Sequence, residues 1–159
     1  MLNWQCCVLP FLKGFPWNFR LSWQCVWVDR SVMASRDIFD VWWQKIAPRL
    51  DTQAIGQCWL WTGPATGKYT AVYGKIRIRK PGSIVSVQER VHRVSYMIKT
   101  RQVNIPAGRD VSHLCGTSLC CNPQHLTLES RAVNMQRRNC HATGVCAGYD
   151  PQPDCLFPI

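Results

Sequence analysis

Acidic side chains are scarce in this chain of 159 residues: 9 Asp and Glu stand against 19 Lys and Arg, leaving a formal net charge of +10. An excess of that sign points to a polyanionic partner, because Lys and Arg contacts to phosphate dominate affinity for nucleic acid. No apolar run approaches the roughly 20 residues that a spanning helix needs, which excludes an integral membrane protein built on such helices. Charge of either sign is also sparse, at 18% of residues against 47% apolar, too greasy a balance for a disordered chain. Internal repeats and low-complexity tracts are absent as well. The expectation is therefore one ordinary domain with a short extension.

A positively charged leader is missing too. Residues 1–32 open on Leu2, Asn3, Trp4 and Gln5, are broken by Pro10, Gly14 and Pro16, and carry no basic n-region. That is a poor secretory signal, and the expected location is intracellular. These residues hold Trp4, Trp17, Trp23, Trp27, Cys6, Cys7 and Cys25 but only four charged side chains, and show no sustained periodicity. At Met33 the composition changes to that of an ordinary protein start. The reading is a boundary there, with 1–32 an atypical extension upstream of a natural start and 33–159 the working domain.

What the chain has in abundance is cysteine, ten in all. In a secreted protein these would form disulfides; in a reducing compartment, thiolates that hold metal. Six of the ten, with three of the four histidines, crowd into the last third as His113-x-Cys115-x4-Cys120-Cys121-x3-His125 and Cys140-His141-x4-Cys146-x8-Cys155. Zinc takes four N or S ligands in a tetrahedron. Cys115, Cys120 and His125 supply three, and Cys58, the one cysteine of the core outside this cluster, makes a Cys3His set. Cys140, Cys146 and Cys155 offer a second site, whose fourth ligand is open between His141 and the spare thiol of Cys121. Buried free thiols and disulfides are the competing uses.

Upstream, the spacing of Ile38, Phe39, Trp42, Trp43 and Ile46 predicts a helix capped by Ser35 and ended by Pro48. Cys58 to Trp61 alternates like a strand. Residues 69–79 and 83–87 read as a β-hairpin turned at Lys80-Pro81-Gly82, and residues 88–100 as a helix. Lys75, Arg77 and Arg79 fall on one face of the hairpin's first arm and Ile76 and Ile78 on the other. A two-stranded ribbon with one basic face has the dimensions to enter the DNA major groove; a solvated sheet face is the plain alternative. His113 is left without a zinc role. A neutral imidazole can take a proton from water near pH 7, and an amide oxygen such as that of Asn134 can hold a hard divalent cation. Together they permit phosphodiester hydrolysis.

The run Asp110-Val-Ser-His113-Leu-Cys115-Gly-Thr-Ser-Leu-Cys120-Cys-Asn122-Pro123-Gln-His125-Leu126, followed by Glu129-Ser130 and Asn134-Met135, resembles the His-Cys box homing endonucleases of the HNH, or His-Me finger, superfamily. Cys58-Trp59-Leu60-Trp61-Thr62-Gly63, Tyr73-Gly74-Lys75 and His92-Arg93-Val94-Ser95-Tyr96 are similar to the lead-in of phage and intron-borne HNH nucleases. The resemblance implies an α+β fold, a small zinc-stabilised domain with an antiparallel hairpin and a ββα-metal active site. It implies His113 as general base, Asn134 as ligand of a catalytic Mg2+ or similar divalent cation, and a structural zinc on Cys58, Cys115, Cys120 and His125. A second zinc falls on Cys140, Cys146 and Cys155, where relatives usually add a histidine and this chain has Ala147, Gly148 and Tyr149. Arg77 is the first choice for an arginine near the scissile phosphate, ahead of Arg79 and Arg93. Lys75, Arg77, Arg79, Lys80, Arg137 and Arg138 are the expected nucleic-acid contacts. The function implied is a metal-dependent endonuclease acting on double-stranded DNA, as a monomer or a homodimer. The alternative is a zinc-stabilised DNA-binding module without cleavage; an RNA-binding zinc protein fits less well, because exposed aromatic stacking platforms are not obvious.

Overall fold

The computed structural model describes residues 37–67, 72–146 and 148–156, which belong to one compact unit, Ser35–Ile159. The expected extension over 1–32 lies outside the described residues.

The first helix, α1 (Ile38–Ile46), is amphipathic, and Phe39, Trp42 and Ile46 are its buried face. Asp37, rather than Ser35, is its N-cap: the carboxylate accepts from the Phe39 amide at 2.9 Å. An Asp there also suits the positive end of the helix dipole. A 3-10 turn through Pro48 follows and leads to β1 (Leu50–Asp51), which pairs with β2 (Leu60–Trp61). Trp61 is buried and held by its indole N–H, which donates to the Pro64 carbonyl at 2.9 Å. Gly74 lies flat against that indole; a Cβ there would come within 2.5 Å of the ring.

Strand β3 (Ala65–Thr66) adds to the hairpin of β4 (Tyr73–Arg79) and β5 (Ser86–Arg90), antiparallel throughout, in register from Lys75 opposite Arg90 to Arg79 opposite Ser86. Ile76 and Ile78 are buried while Arg77 and Arg79 are exposed, as the alternation requires. The next helix, α2 (Val91–Thr100), begins three residues later than the apolar spacing predicts, because Gln88, Glu89 and Arg90 are taken by the ladder to β4. Val91, Val94 and Met97 of α2 join Phe39, Trp42, Ile46, Trp61, Ile76, Ile78 and Cys121 in the apolar core. Burying such a side chain is worth about 1.5–3 kcal/mol each, so this half of the domain has a conventional interior.

The other half does not. Strands β6 (Arg109–His113) and β7 (Leu126–Ser130) pair antiparallel, His113 opposite Leu126, and run straight into α3 (Arg131–Thr143), whose N-terminus Ser130 caps. The buried residues of α3 are Arg137 and Cys140, neither of them a hydrocarbon side chain. A helix without an apolar stripe needs some other attachment, and the ion pair of Arg137 with Glu129 and the thiol cluster around Cys140 supply it. The architecture is thus α+β, with a β-β-α unit fastened to a small apolar core by polar and thiol groups.

A metal-braced candidate active site

The first cluster joins four side chains from three segments. Cys58 precedes β2, Cys115 and Cys120 bracket the turn after β6, and His125 closes a 3-10 turn that Asn122 caps. Their ligand atoms all lie within 4.8 Å of one another. A tetrahedral zinc with Zn–S of about 2.3 Å and Zn–N of about 2.05 Å requires an S···N edge of about 3.6 Å. The Nδ1 of His125 lies 3.6 Å from the sulfur of Cys58 and 3.6 Å from that of Cys120. Within the group, the Cys120 thiol hydrogen-bonds to Cys115 and draws the latter down to about 4, while Cys120 is pushed up in return. A thiolate ready at neutral pH lowers the proton cost of taking up a metal. Cys121, adjacent in sequence, points instead into the apolar core, where burial pushes its thiol up to about 12. It is not available to the second cluster.

His113 stands beside this brace at the end of β6. Its Nε2 lies 3.1 Å from the Cys120 carbonyl oxygen. A carbonyl only accepts, so Nε2 carries the proton and Nδ1 keeps its lone pair. One residue, Cys120, therefore offers its sulfur to the metal and its carbonyl to the imidazole. The ring is packed against His92, with centroids 4.6 Å apart, and Tyr73 at 6.2 Å. Burial lowers the pKa of His113, and lowers that of His92 much further, helped there by the charges of His113, Arg90 and Arg93. Both imidazoles are neutral at pH 7.

Asn134 is one turn into α3. Its Nδ2 donates to a carboxylate oxygen of Asp110 at 2.9 Å, and Arg131 reaches the same oxygen at 3.5 Å. Since a carboxylate cannot donate, the amide is fixed with its Oδ1 turned away from Asp110 and free for a ligand. His113, Asn134 and Asp110 line one cavity of about 520 Å³ with Arg90, Arg93, Arg131, Arg137 and Arg138, of which Arg93 is paired with Glu89, Arg131 with Asp110 and Arg137 with Glu129. An oxygen ligand, a neutral base and a rim of guanidinium groups around one hollow suit a hydrated divalent cation and a phosphate.

Several expected residues lie elsewhere. Arg77 does not line this cavity; it sits mid-hairpin opposite Gln88 and borders a separate recess with Lys75 and Lys45. Arg90 and Arg93, where β5 runs into α2, occupy the place given to it. Arg137, expected as a nucleic-acid contact, is buried instead of exposed. It is 1% exposed and forms a two-bond ion pair with Glu129, 0% exposed, at 3.1 and 2.8 Å. Lys75 is half-buried, Arg77, Arg79 and Arg138 are exposed, and Lys80 donates to Asn104 at 2.6 Å.

The second cluster brings together Cys140, Cys146 and Cys155, again with ligand atoms within 4.8 Å. His141 is not among them. Consecutive helical residues point about 100° apart, so the His141 ring leaves Cys140 behind and lies over Gly116, lining the His113 cavity. Gly116 has φ +69°, and a Cβ there would meet that ring at 2.7 Å. The tyrosine hydroxyl of Tyr149 is 2.7 Å from the Cys140 sulfur. Sequence reasoning missed Asp110 as a partner of Asn134, along with Arg90 and Tyr149. Asp110 had no signal beyond opening the motif and Arg90 had none, while Tyr149 stood where a histidine was expected.

Residues 57–155 match a family described as the zinc-binding loop region of homing endonuclease. Protein 2.8 of Escherichia phage T7 is similar to this chain, 34% identical over 91 residues that cover 57% of the chain and 55% of the relative. The chain thus spans about half the length of that relative. No solved structure matches.

Proposed function

The chain belongs to the family defined by the zinc-binding loop region of homing endonuclease, and from that premise we propose that it is a divalent-metal-dependent endonuclease that hydrolyses DNA phosphodiester bonds. The observation that carries this reading is the pairing of a base and a cation ligand in one arginine-rimmed cavity. His113 is held through Nε2 by the Cys120 carbonyl and presents Nδ1, while Asn134 is held through Nδ2 by Asp110 and presents Oδ1.

His113 takes a proton from water at Nδ1, and the resulting hydroxide attacks phosphorus as the bond to the leaving oxygen breaks. Asn134 Oδ1 would hold the divalent cation, which when bound supplies charge neutralisation at the phosphate and leaving oxygen. Arg90 and Arg93 face the same cavity and meet the phosphate charge. The exposed Arg77 and Arg79 on the hairpin, and Arg138 on α3, are the proposed contacts to duplex DNA. Zinc on Cys58, Cys115, Cys120 and His125 is structural, since four protein ligands leave no open position.

Supercoiled plasmid incubated with the pure protein and Mg2+ tests this. Nicking is expected, reduced about 100- to 10,000-fold by His113→Ala and abolished by Asn134→Ala. A second reading, a zinc-braced DNA-binding module without cleavage, is favoured by one feature: the basic hairpin face lies apart from the cavity, so it needs no catalytic group to bind. DNA binding with no nicking under Mg2+, Mn2+ or Co2+ would select it.

A further inference from the structure

We propose that Tyr149 is the fourth ligand of a second structural zinc site, completing Cys140, Cys146 and Cys155 with its phenolic oxygen.

Three thiols whose sulfurs lie within 4.8 Å of one another are one donor short of a closed tetrahedral site. His141, the neighbouring imidazole, faces the other cavity, and Cys121 is in the apolar core. Asp154 Oδ1 stands 3.9 Å from the Cys146 sulfur but does not come within 4.8 Å of all three thiols, whereas Tyr149 reaches two of them. The Tyr149 side chain is buried, and its hydroxyl contacts both Cys140, at 2.7 Å, and Cys155. An oxygen at about 2.0 Å and a sulfur at about 2.3 Å from zinc are about 3.5 Å apart in a tetrahedron. The observed approach is closer because these two atoms are hydrogen-bonded to each other. The shift needed is under an ångström, within reach of a small pivot of the ring.

The surroundings fit an anionic centre. Zinc with three thiolates carries a net negative charge, and an oxyanion ligand adds to it. Arg137 answers that charge from two directions: its Nη1 donates to Cys155 at 3.5 Å, and its guanidinium carbon stands 4.2 Å from the centroid of the Tyr149 ring. Its remaining donors go to Glu129 and, at 3.0 Å, to the Pro153 carbonyl. One guanidinium thereby fixes the ring that brings the oxygen, a thiol of the site and the loop between them. Outer partners of this kind orient metal ligands and set their affinity. Gly148, at φ +76°, gives the chain the left-handed turn by which Tyr149 folds back beneath α3.

The test is metal binding by the full chain, read without reference to DNA cleavage. Wild type is expected to bind two Co2+ per chain, both with tetrahedral d–d absorption and thiolate charge transfer, and to resist a competing chelator at both sites. Tyr149→Phe keeps the ring over Arg137 and removes only the oxygen. It is expected to leave the first site intact and weaken the second by at least the 10- to 100-fold that follows loss of an outer partner. Tyr149→His is expected to restore affinity and shift the d–d bands toward those of an S3N site. Unchanged chelator resistance and an unchanged d–d spectrum in Tyr149→Phe overturn the proposal and leave Tyr149 a hydrogen-bond partner of Cys140. A wild type that binds one metal, with two of the three cysteines resisting alkylation until reduced, overturns it in favour of a disulfide.

Discussion

Replacing Arg137 by leucine separates two roles that its position in the sequence cannot. Arg137 and Glu129 are 1% and 0% exposed and joined by two hydrogen bonds. Desolvation of both charges has already been offset by their mutual attraction and by the contacts of Arg137 to Pro153 and Cys155. Removing one partner strands the other charge in the interior, a loss of about 3–5 kcal/mol, or about two to three and a half decades in the folding equilibrium. The same loss is expected for Glu129→Leu. The double variant Arg137→Leu/Glu129→Leu is expected to recover most of it, since a hydrophobic pair of similar volume is often neutral against a buried ion pair. Urea unfolding followed by tryptophan fluorescence, with zinc in excess, gives the three values and the coupling energy between the sites. Affinity for DNA, measured as a function of salt, is expected to keep its slope. A single variant that costs under about 1 kcal/mol and lowers the salt slope by about one would refute the burial argument and return Arg137 to the phosphate-contacting set.

Asp110→Ala is expected to weaken Mn2+ binding at the Asn134 site about 10- to 100-fold, with the thermal midpoint little changed, because the amide loses the partner that fixes its oxygen; Mn2+ titration by electron paramagnetic resonance measures it. Gly116→Ala and Gly108→Ala occupy φ +69° and +73°, so each is expected to cost about 1 kcal/mol of backbone strain, but only Gly116→Ala should also cut nicking, since it alone meets His141. Equal nicking by the two variants would remove His141 from the site. His92 has a pKa well below its ordinary value, by burial and then by the charges around it. The unfolded chain therefore takes up that proton first as pH falls. Its share of stability is complete above about pH 6.5 and is lost as pH drops toward the folded value; His92→Phe is expected to flatten that part of the stability–pH curve. Chelation of zinc is expected to abolish nicking in Mg2+ and to lower the thermal midpoint, and zinc added back to restore both.

The clustering of Cys58, Cys115, Cys120 and His125 was legible because residue type and spacing carry it: Cys115, Cys120 and His125 fall within one short run of sequence, and Cys58 had no other use. His113 and Asn134, which border one cavity, were singled out through the same run of sequence. The hairpin's two faces followed from a period of two, which survives any context. What could not be read was direction across elements. Arg137 and Arg138 are neighbours with the same charge, yet one is inside and one outside, and the difference is Glu129 on a strand eight residues earlier. Arg90 rather than Arg77 borders the His113 cavity for a similar reason: the register of β4 against β5 decides which arginine ends there, and a register is a property of a pair of strands.

The Cys58 and Cys115 clamp also has a bearing on connectivity. Between those two residues lie β2 to β6 and α2, so a metal held there would close the whole hairpin segment into a ring whose ends meet at Cys58 and Cys115. The free-energy cost of closing a ring grows only with the logarithm of its length. Residues can thus be added to or removed from the exposed turn at Pro81 and Gly82 with little charge against the closure itself. A backbone cut at that turn would leave two fragments still tethered through zinc. The turn is in this sense the exchangeable part, free to change in length, while the strands that carry Tyr73, Ile76, Ile78 and Arg90 stay tied to the core and to the His113 cavity.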